Sequence, residues 1–269
     1  MRQNYKQILI IGGTGTIGSC LSKVLSINNS VTIFSRDESL QVSMKLNNPS
    51  LNFIIGDIRD ADEINKACIK KDFVYNFAAI KHIDICEKFI QESIKTNILG
   101  TMNVVNACLN SQSKLIHMSS DKAIKPASVY GMTKSLGEKI VLSVGFSCVR
   151  SGNVIGSSGS VFPIWKRQLE EFNQVKITSW EMTRFFIQPY DLIEFIISIS
   201  EEPSAIYTVP MKSYNLGELA EFFIAKYGGE NSKIVEVGLR PGERCHEFRT
   251  EEVSSRAIVS HDFDYIFND

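Results

Sequence analysis

The chain has 269 residues, 43% of them apolar, with 29 basic against 30 acidic side chains and a net charge of −1. Such a length buries a substantial core in one large domain or two unequal ones. The charge balance excludes a global field that would draw nucleic acid or an anionic membrane, so any basic contact must be local.

No run of about eighteen or more apolar residues occurs, which argues against membrane insertion, and the polar start Met1–Lys6 lacks a signal-peptide pattern. The expectation is a cytoplasmic protein. The six cysteines, Cys20, Cys68, Cys86, Cys108, Cys148 and Cys245, form no C-x-x-C pair. They read as small hydrophobes in a reducing compartment, with no disulfide and no metal.

In chain order, residues 7–11 read as a strand, 17–28 as a helix and 31–34 as a second strand. Residues 51–55 form a third strand, followed by a helix capped by Asp60. A fourth strand covers 73–77, and 87–110 carries one long helical pattern. Residues 114–118 are a fifth strand, 129–144 a helix and 146–149 a sixth strand. This alternation predicts an α/β fold, a Rossmann-type doubly wound parallel sheet with its crevice at the strand C-terminal ends. After Arg150 a Gly/Ser-rich loop leads to helices near 163–172, 189–200 and 216–227, with short strands at 175–177, 206–209 and 234–237. The division expected is residues 1–150 for a cofactor domain and 151–269 for a smaller, mixed α/β substrate domain, with a soft boundary. Residues 261–269 are aromatic and acidic and have no assigned place.

Gly12, Gly15 and Gly18 give a G-x-x-G-x-x-G spacing between the first strand and the first helix, with Thr16 and Ile17 inside it. A pyrophosphate needs such a tight turn, close backbone approach and a helix N-terminus offering free N–H groups. The strand before it and the helix after it supply the context that makes a glycine motif specific. Strand two ends in Ser35-Arg36 rather than an acid. A hydroxyl and a guanidinium suit a 2′-phosphate, so NADP(H) is favoured over NAD(H); the alternative is that Arg36 is a solvated charge. Asp57 and Ile58 follow strand three in a loop expected beside the adenine, where Asp57 accepts from its exocyclic amine. Ala78 and Ala79 end strand four, small enough for the backbone to lie against the cofactor.

Tyr130 and Lys134 form Y-x-x-x-K on one face of a helix start. A nearby ammonium favours the phenolate, which takes a proton from an alcohol as hydride leaves it. Ser120, after strand five, is placed to hydrogen-bond the same oxygen.

The order glycine motif, Asp57, Ala78-Ala79, Asn97, Ser120 and Tyr130-x-x-x-Lys134 resembles the extended short-chain dehydrogenases/reductases. The segment 117–123, His-Met-Ser-Ser-Asp-Lys-Ala, narrows the resemblance to nucleotide-sugar 4,6-dehydratases. So do residues 35–38, 56–60, 78–82, 95–98, 150–157, 182–185 and 240–244. The nearest likeness is to the soluble, C5-inverting UDP-N-acetylglucosamine 4,6-dehydratases of pseudaminic acid and polysaccharide biosynthesis.

That resemblance implies a tightly bound, recycled NADP, a nucleotide-sugar substrate and a homo-oligomer. It implies that Asp121 and Lys122 are the acid and base of dehydration, Lys122 serving as base if burial depresses its pKa. It places Asn153, Arg184 and Arg240 toward the substrate diphosphate, with Glu243 in the same block, and Lys81 near the substrate. Relatives run several dozen residues past the 240–244 block, and the segment around Trp180-Glu181 diverges. An epimerase or reductase would need only Ser120, Tyr130 and Lys134, so Asp121-Lys122 is the feature against it. A non-catalytic NADP(H)-binding protein would be expected to lose Tyr130 or Lys134, and both are present. The four histidines, His82, His117, His246 and His261, read as structural.

Overall fold

The computed structural model describes residues 5–267. The first half runs β1 (Gln7–Ile11), α1 (Thr16–Leu25), β2 (Ser30–Ser35), α2 (Glu38–Asn47), β3 (Asn52–Ile55), α3 (Ala61–Cys68) and β4 (Phe73–Asn76). It continues with α4 (Ile83–Lys88), α5 (Ile90–Ile94), α6 (Gly100–Ser111), β5 (Lys114–Met118), α7 (Val129–Leu142) and β6 (Ser147–Arg150). Ile8, Leu9, Ile10 and Ile11 are at most 1% exposed. A strand with no polar alternation is what a parallel sheet covered on both faces requires. Helix α3 begins where the sequence indicates: the Asp60 carboxylate accepts from the backbone N–H of Asp62 and Glu63.

The single helix expected over 87–110 is broken. Phe89, at φ −120° and ψ 61°, separates α4 from α5, and Lys95–Leu99 winds as a π turn before α6. Asn97 supplies the reason. Its side chain accepts from the Ile80 N–H at 2.8 Å and donates to the Ile80 carbonyl at 2.9 Å. The turn is thereby tied to the loop after β4, and such widened turns gather at functional sites.

The second half contains β7 (Asn153–Val154), α8 (Val161–Phe172), β8 (Gln174–Ile177), β9 (Thr183–Ile187) and α9 (Pro189–Ser198). Then come β10 (Ile206–Thr208), β11 (Lys212–Asn215), α10 (Leu216–Tyr227), β12 (Lys233–Glu236) and α11 (Asp264–Phe267). Seven parallel strands form the main sheet in the order β10-β6-β5-β4-β1-β2-β3. The order reverses at β1, between β4 and β2, which opens the ligand crevice at the C-terminal strand ends. One apolar core lies on each face of this sheet.

The chain does not leave the large unit for good at residue 150. Helix α9 packs on α1 and β10 pairs with β6. The remainder builds a three-stranded sheet, β11-β9-β7, and a two-stranded one, β12-β8, around a third core containing Trp165, Phe186, Tyr214 and Phe223. The unplaced aromatic end belongs to it: Phe263 and Phe267 stack with Phe222, and Phe267 also meets Phe162. Asn268 and Asp269 lie outside the described residues.

Candidate active site

The glycine turn is tight enough to exclude side chains. Gly12 has φ +73°, and a Cβ there would lie 2.8 Å from the Ala78 nitrogen; a Cβ on Gly18 would lie 2.6 Å from Gly13 Cα. Gly15 occupies the cap position of α1 without a side-chain cap, so the first N–H groups of that helix remain for a ligand anion. This cradle fits the pyrophosphate of a dinucleotide. Thr16 stands at its rim, accepting from the Ser158 N–H at 3.3 Å. Ile17 packs toward the core. Ala78 and Ala79 are half-buried where β4 ends.

The neighbouring loops change some expectations. The Ser35 hydroxyl is buried and accepts from Gln41 Nε2 at 2.9 Å. Arg36 is 63% exposed, 3.9 Å from Asp57. Asp57 is committed to Arg59, accepting from its backbone N–H at 2.9 Å and its Nη2 at 2.6 Å. Arg59 holds the Asp57 pKa below its ordinary value. Asp57 therefore anchors a local ion pair with Arg59. Ile58 is a core residue, 4% exposed and lying under Gly100, because α6 crosses closely there; its side chain does not face the crevice.

Strand β5 delivers Ser119 and Ser120 to the crevice, and a single 3-10 turn, Asp121–Ala123, carries the next polar groups. Ser120 Oγ donates to Asp121 Oδ1 at 3.0 Å and accepts from the Lys122 N–H at 3.3 Å. Ser128 caps α7 by accepting from the Gly131 N–H, which starts the helix just before Tyr130 and Lys134. All of Ser120, Asp121, Tyr130 and Lys134 are buried. Behind them, Glu138 accepts from Ser119 Oγ and takes a two-pronged contact from Arg150, fixing the end of β5 against α7.

Two electrostatic expectations are corrected. Burial pushes the Tyr130 phenol up to about 12, and the cation that opposes this is Lys122, aided by Ser120, rather than Lys134. Lys134 donates to the Met118 carbonyl at 2.7 Å, and burial draws it down to about 8. Lys122 moves the other way. Burial pulls its pKa down, but Asp121 and Glu247 outweigh it and leave the ammonium favoured, so Lys122 is not a ready-made base. Asp121 is 1% exposed; one oxygen accepts from Ser120 and Lys122, while Oδ2 accepts no hydrogen bond among the described residues.

The residues proposed for the substrate separate. Lys81 Nζ donates to the Ser158 carbonyl at 2.8 Å, tying the loop after β4 to the loop after β7 above Thr16. Asn153 donates to the Phe185 carbonyl, joining β7 to β9. Arg184 is held by backbone. It is 7% exposed, and its guanidinium donates to the carbonyls of Thr183, Arg244 and Cys245, clamping the backbone of two segments together. Arg240 is 61% exposed and pairs with Glu243 at 2.5 Å. Burial raises the Glu243 pKa, Arg240 lowers it more, and the carboxylate is favoured.

One residue was missed. Glu247, 3% exposed, reaches to 3.8 Å from Lys122 Nζ. The histidines do not come together: His117 meets Asn76, His246 meets Thr183 and His261 meets Glu218, while His82 lies against Gly159. Among the described residues no cluster is placed to hold a metal ion, and no helix is long and apolar enough to cross a membrane.

The family profile described as polysaccharide biosynthesis protein matches residues 8–267. A UDP-N-acetylglucosamine 4,6-dehydratase (inverting) of Campylobacter jejuni subsp. jejuni serotype O:2 is 38% identical over 91% of this chain and 77% of its own. A UDP-glucose 4-epimerase of Rickettsia akari is 33% identical over 90% of this chain and 76% of its own. Among solved structures, Pen of Bacillus thuringiensis superimposes at TM-score 0.89 with 35% identity, covering 93% of this chain and 85% of that one. A dTDP-glucose 4,6-dehydratase of Streptomyces venezuelae, solved with NAD bound, reaches TM-score 0.81 at 18% identity over 89% and 86%, a likeness of fold alone.

Proposed function

The chain belongs to the polysaccharide biosynthesis protein family of extended short-chain dehydrogenases/reductases, and on that premise we propose that it is a nucleotide-sugar 4,6-dehydratase. The substrate we assign is UDP-N-acetylglucosamine and the pathway class surface glycan biosynthesis. The observation that carries this reading is the Asp121–Lys122 ion pair, 3.0 Å long with its carboxylate buried, placed against Ser120 and the Tyr130 phenol. A C4 oxidoreductase needs only the tyrosine, lysine and serine; a second acid–base pair is needed when a carbon-bound proton and a hydroxyl must also leave.

A nicotinamide dinucleotide held on the Gly12–Gly18 turn would supply the hydride chemistry, from C4 and back to C6. The protein's share is proton transfer. Tyr130 is the assigned acceptor of the C4 hydroxyl proton once its phenol, raised to about 12 by burial, has given up its own, and Ser120 holds the same oxygen. Once C4 is a ketone the C5 proton is acidic. Asp121, with one oxygen free of hydrogen bonds, is the acceptor for it, and a solvent-exchanged proton returns to C5 as hydride reaches C6. Lys122, held as an ammonium, is the donor to the departing C6 hydroxyl. This reverses the roles expected from sequence, because the charges around Lys122 favour its protonated form. NADP(H) is the assigned cofactor: Arg36 stands exposed at the end of β2, where a guanidinium suits a 2′-phosphate.

The second reading, C4 epimerisation, is favoured by the Rickettsia relative. Incubation with UDP-N-acetylglucosamine and analysis of the product by mass and proton NMR separates the two. Loss of one water supports the dehydratase; an epimer of unchanged mass refutes it.

A further inference from the structure

The C-terminal segment 244–247 is bolted to the front of β9 by contacts that no phosphate-binding role explains. The Thr183 N–H donates to the Cys245 carbonyl, and Thr183 Oγ1 meets His246 Nδ1 at 2.9 Å and Ser255 Oγ at 2.6 Å. Arg184 donates to the carbonyls of Arg244 and Cys245. Ser255, fully buried, accepts from the Glu247 N–H through its hydroxyl and donates its own N–H to the Glu247 carbonyl. Five of these contacts hold the backbone of residues 244, 245 and 247, two of them the N–H and the carbonyl of Glu247 itself. The side chain they aim is a buried carboxylate, and it points at Lys122.

We propose that Glu247 is a positioning residue of the acid–base pair, gripping the Lys122 ammonium as a second carboxylate beside Asp121. The proposal rests on the reading of Asp121 and Lys122 given above. Lysine carries its charge on a flexible four-carbon stem. Asp121, its chain neighbour at 3.0 Å, limits how far Nζ strays but not the direction in which it points. A second carboxylate, brought from 125 positions along the chain and 3.8 Å away, restricts that direction and holds the proton on nitrogen. The other groups facing Lys122 are the Tyr130 phenol and the Arg184 guanidinium, with Lys125 and Arg244 across the small cavity that Lys122 and Glu247 share. Arg184 acts against the ammonium and the two carboxylates act for it. The 182–185 and 240–247 segments therefore serve one purpose, although neither touches Lys122 except through Glu247.

Two variants test this, Glu247→Gln and Glu247→Asp, each with two readouts. The first is the titration of Lys122 itself in substrate-free protein, followed by competitive acetylation with acetic anhydride and mass spectrometry across pH. Glu247→Gln lowers the Lys122 midpoint by about one pH unit, the scale set by an opposite charge at this distance; Glu247→Asp lowers it by less. The second readout is water loss from UDP-N-acetylglucosamine beside the reduction of bound nicotinamide on mixing. In Glu247→Gln water loss falls at least about tenfold while nicotinamide reduction is retained, and Glu247→Asp recovers part of the loss. An unmoved Lys122 midpoint with water loss within about twofold of wild type would make Glu247 a bystander to the ion pair and overturn the proposal. Equal loss of reduction and elimination would overturn it too. Should the glutamine variant not fold, the aspartate variant decides by the same two readouts. A wild type that only epimerises sinks the dehydratase reading and leaves the titration to judge Glu247.

Discussion

Replacing Lys134 by methionine removes a charge from one of the driest places in the molecule. The residue is 3% exposed, and burial draws its pKa from 10.5 to about 8. Near neutral pH the fold therefore carries an ammonium it disfavours. At about 1.4 kcal/mol per pH unit, that displacement amounts to about 3 kcal/mol. Methionine fits the same volume but gives up the hydrogen bond to the Met118 carbonyl, costing about 1–2 kcal/mol. The net expectation for the cofactor-free protein near pH 7 is a gain of about 1–2 kcal/mol, a rise of a few degrees in Tm, with turnover abolished. The pH dependence carries the same information. Because the folded pKa lies below the unfolded one, the unfolded chain binds more protons between about pH 8 and about pH 10.5. Over that window the lysine protein gains stability as pH rises, and below it the penalty is constant. The methionine variant lacks that gain. Urea unfolding of both proteins from about pH 7 to about pH 10 measures it. A variant less stable than wild type near pH 7, or two parallel pH profiles, would show that burial does not penalise Lys134 and refute the reasoning.

Arg36→Ala should weaken NADPH at least about tenfold, in line with one charge-assisted contact, and leave NADH unchanged; titration of both cofactors checks it, and equal losses would remove Arg36 from 2′-phosphate recognition. Gly18→Ala should lower the affinity for either cofactor and cost about 1–3 kcal/mol of stability, since the new Cβ meets backbone at 2.6 Å and α1 must shift. Calorimetric cofactor titration and urea unfolding read the two effects, and unaltered binding would contradict the tight-turn account.

The large sheet was legible because β1, β2, β4 and β5 are short apolar runs between turn residues, and because Gly12 to Gly18 sits between a strand and a helix. The Asp60 cap was legible for the same local reason. What escaped depends on partners far away in sequence. The helix break at Phe89 and the π turn follow from Asn97 binding the Ile80 backbone. Strands β7, β9 and β11 are short, and β9, buried along its whole length, has no alternation to betray it. Arg184 has the composition of a phosphate ligand and the surroundings of a backbone clamp. The proximity of Ser120, Asp121, Lys122, Tyr130 and Lys134 was readable, since β5 and α7 bring them together. Their protonation was not, because Glu247 lies 125 residues from the lysine it holds. The acid following His246 was the one available sign, and nothing local distinguishes it from a surface charge.

The measurement that bears most directly on the dehydratase assignment is the reaction of the wild-type enzyme with UDP-N-acetylglucosamine in heavy water. Removal of the C5 proton is required for elimination and never for C4 epimerisation. The account predicts a product lighter by one water, after allowing for the label, with deuterium at C5. A C4 epimer of unchanged mass with hydrogen retained at C5 would contradict it.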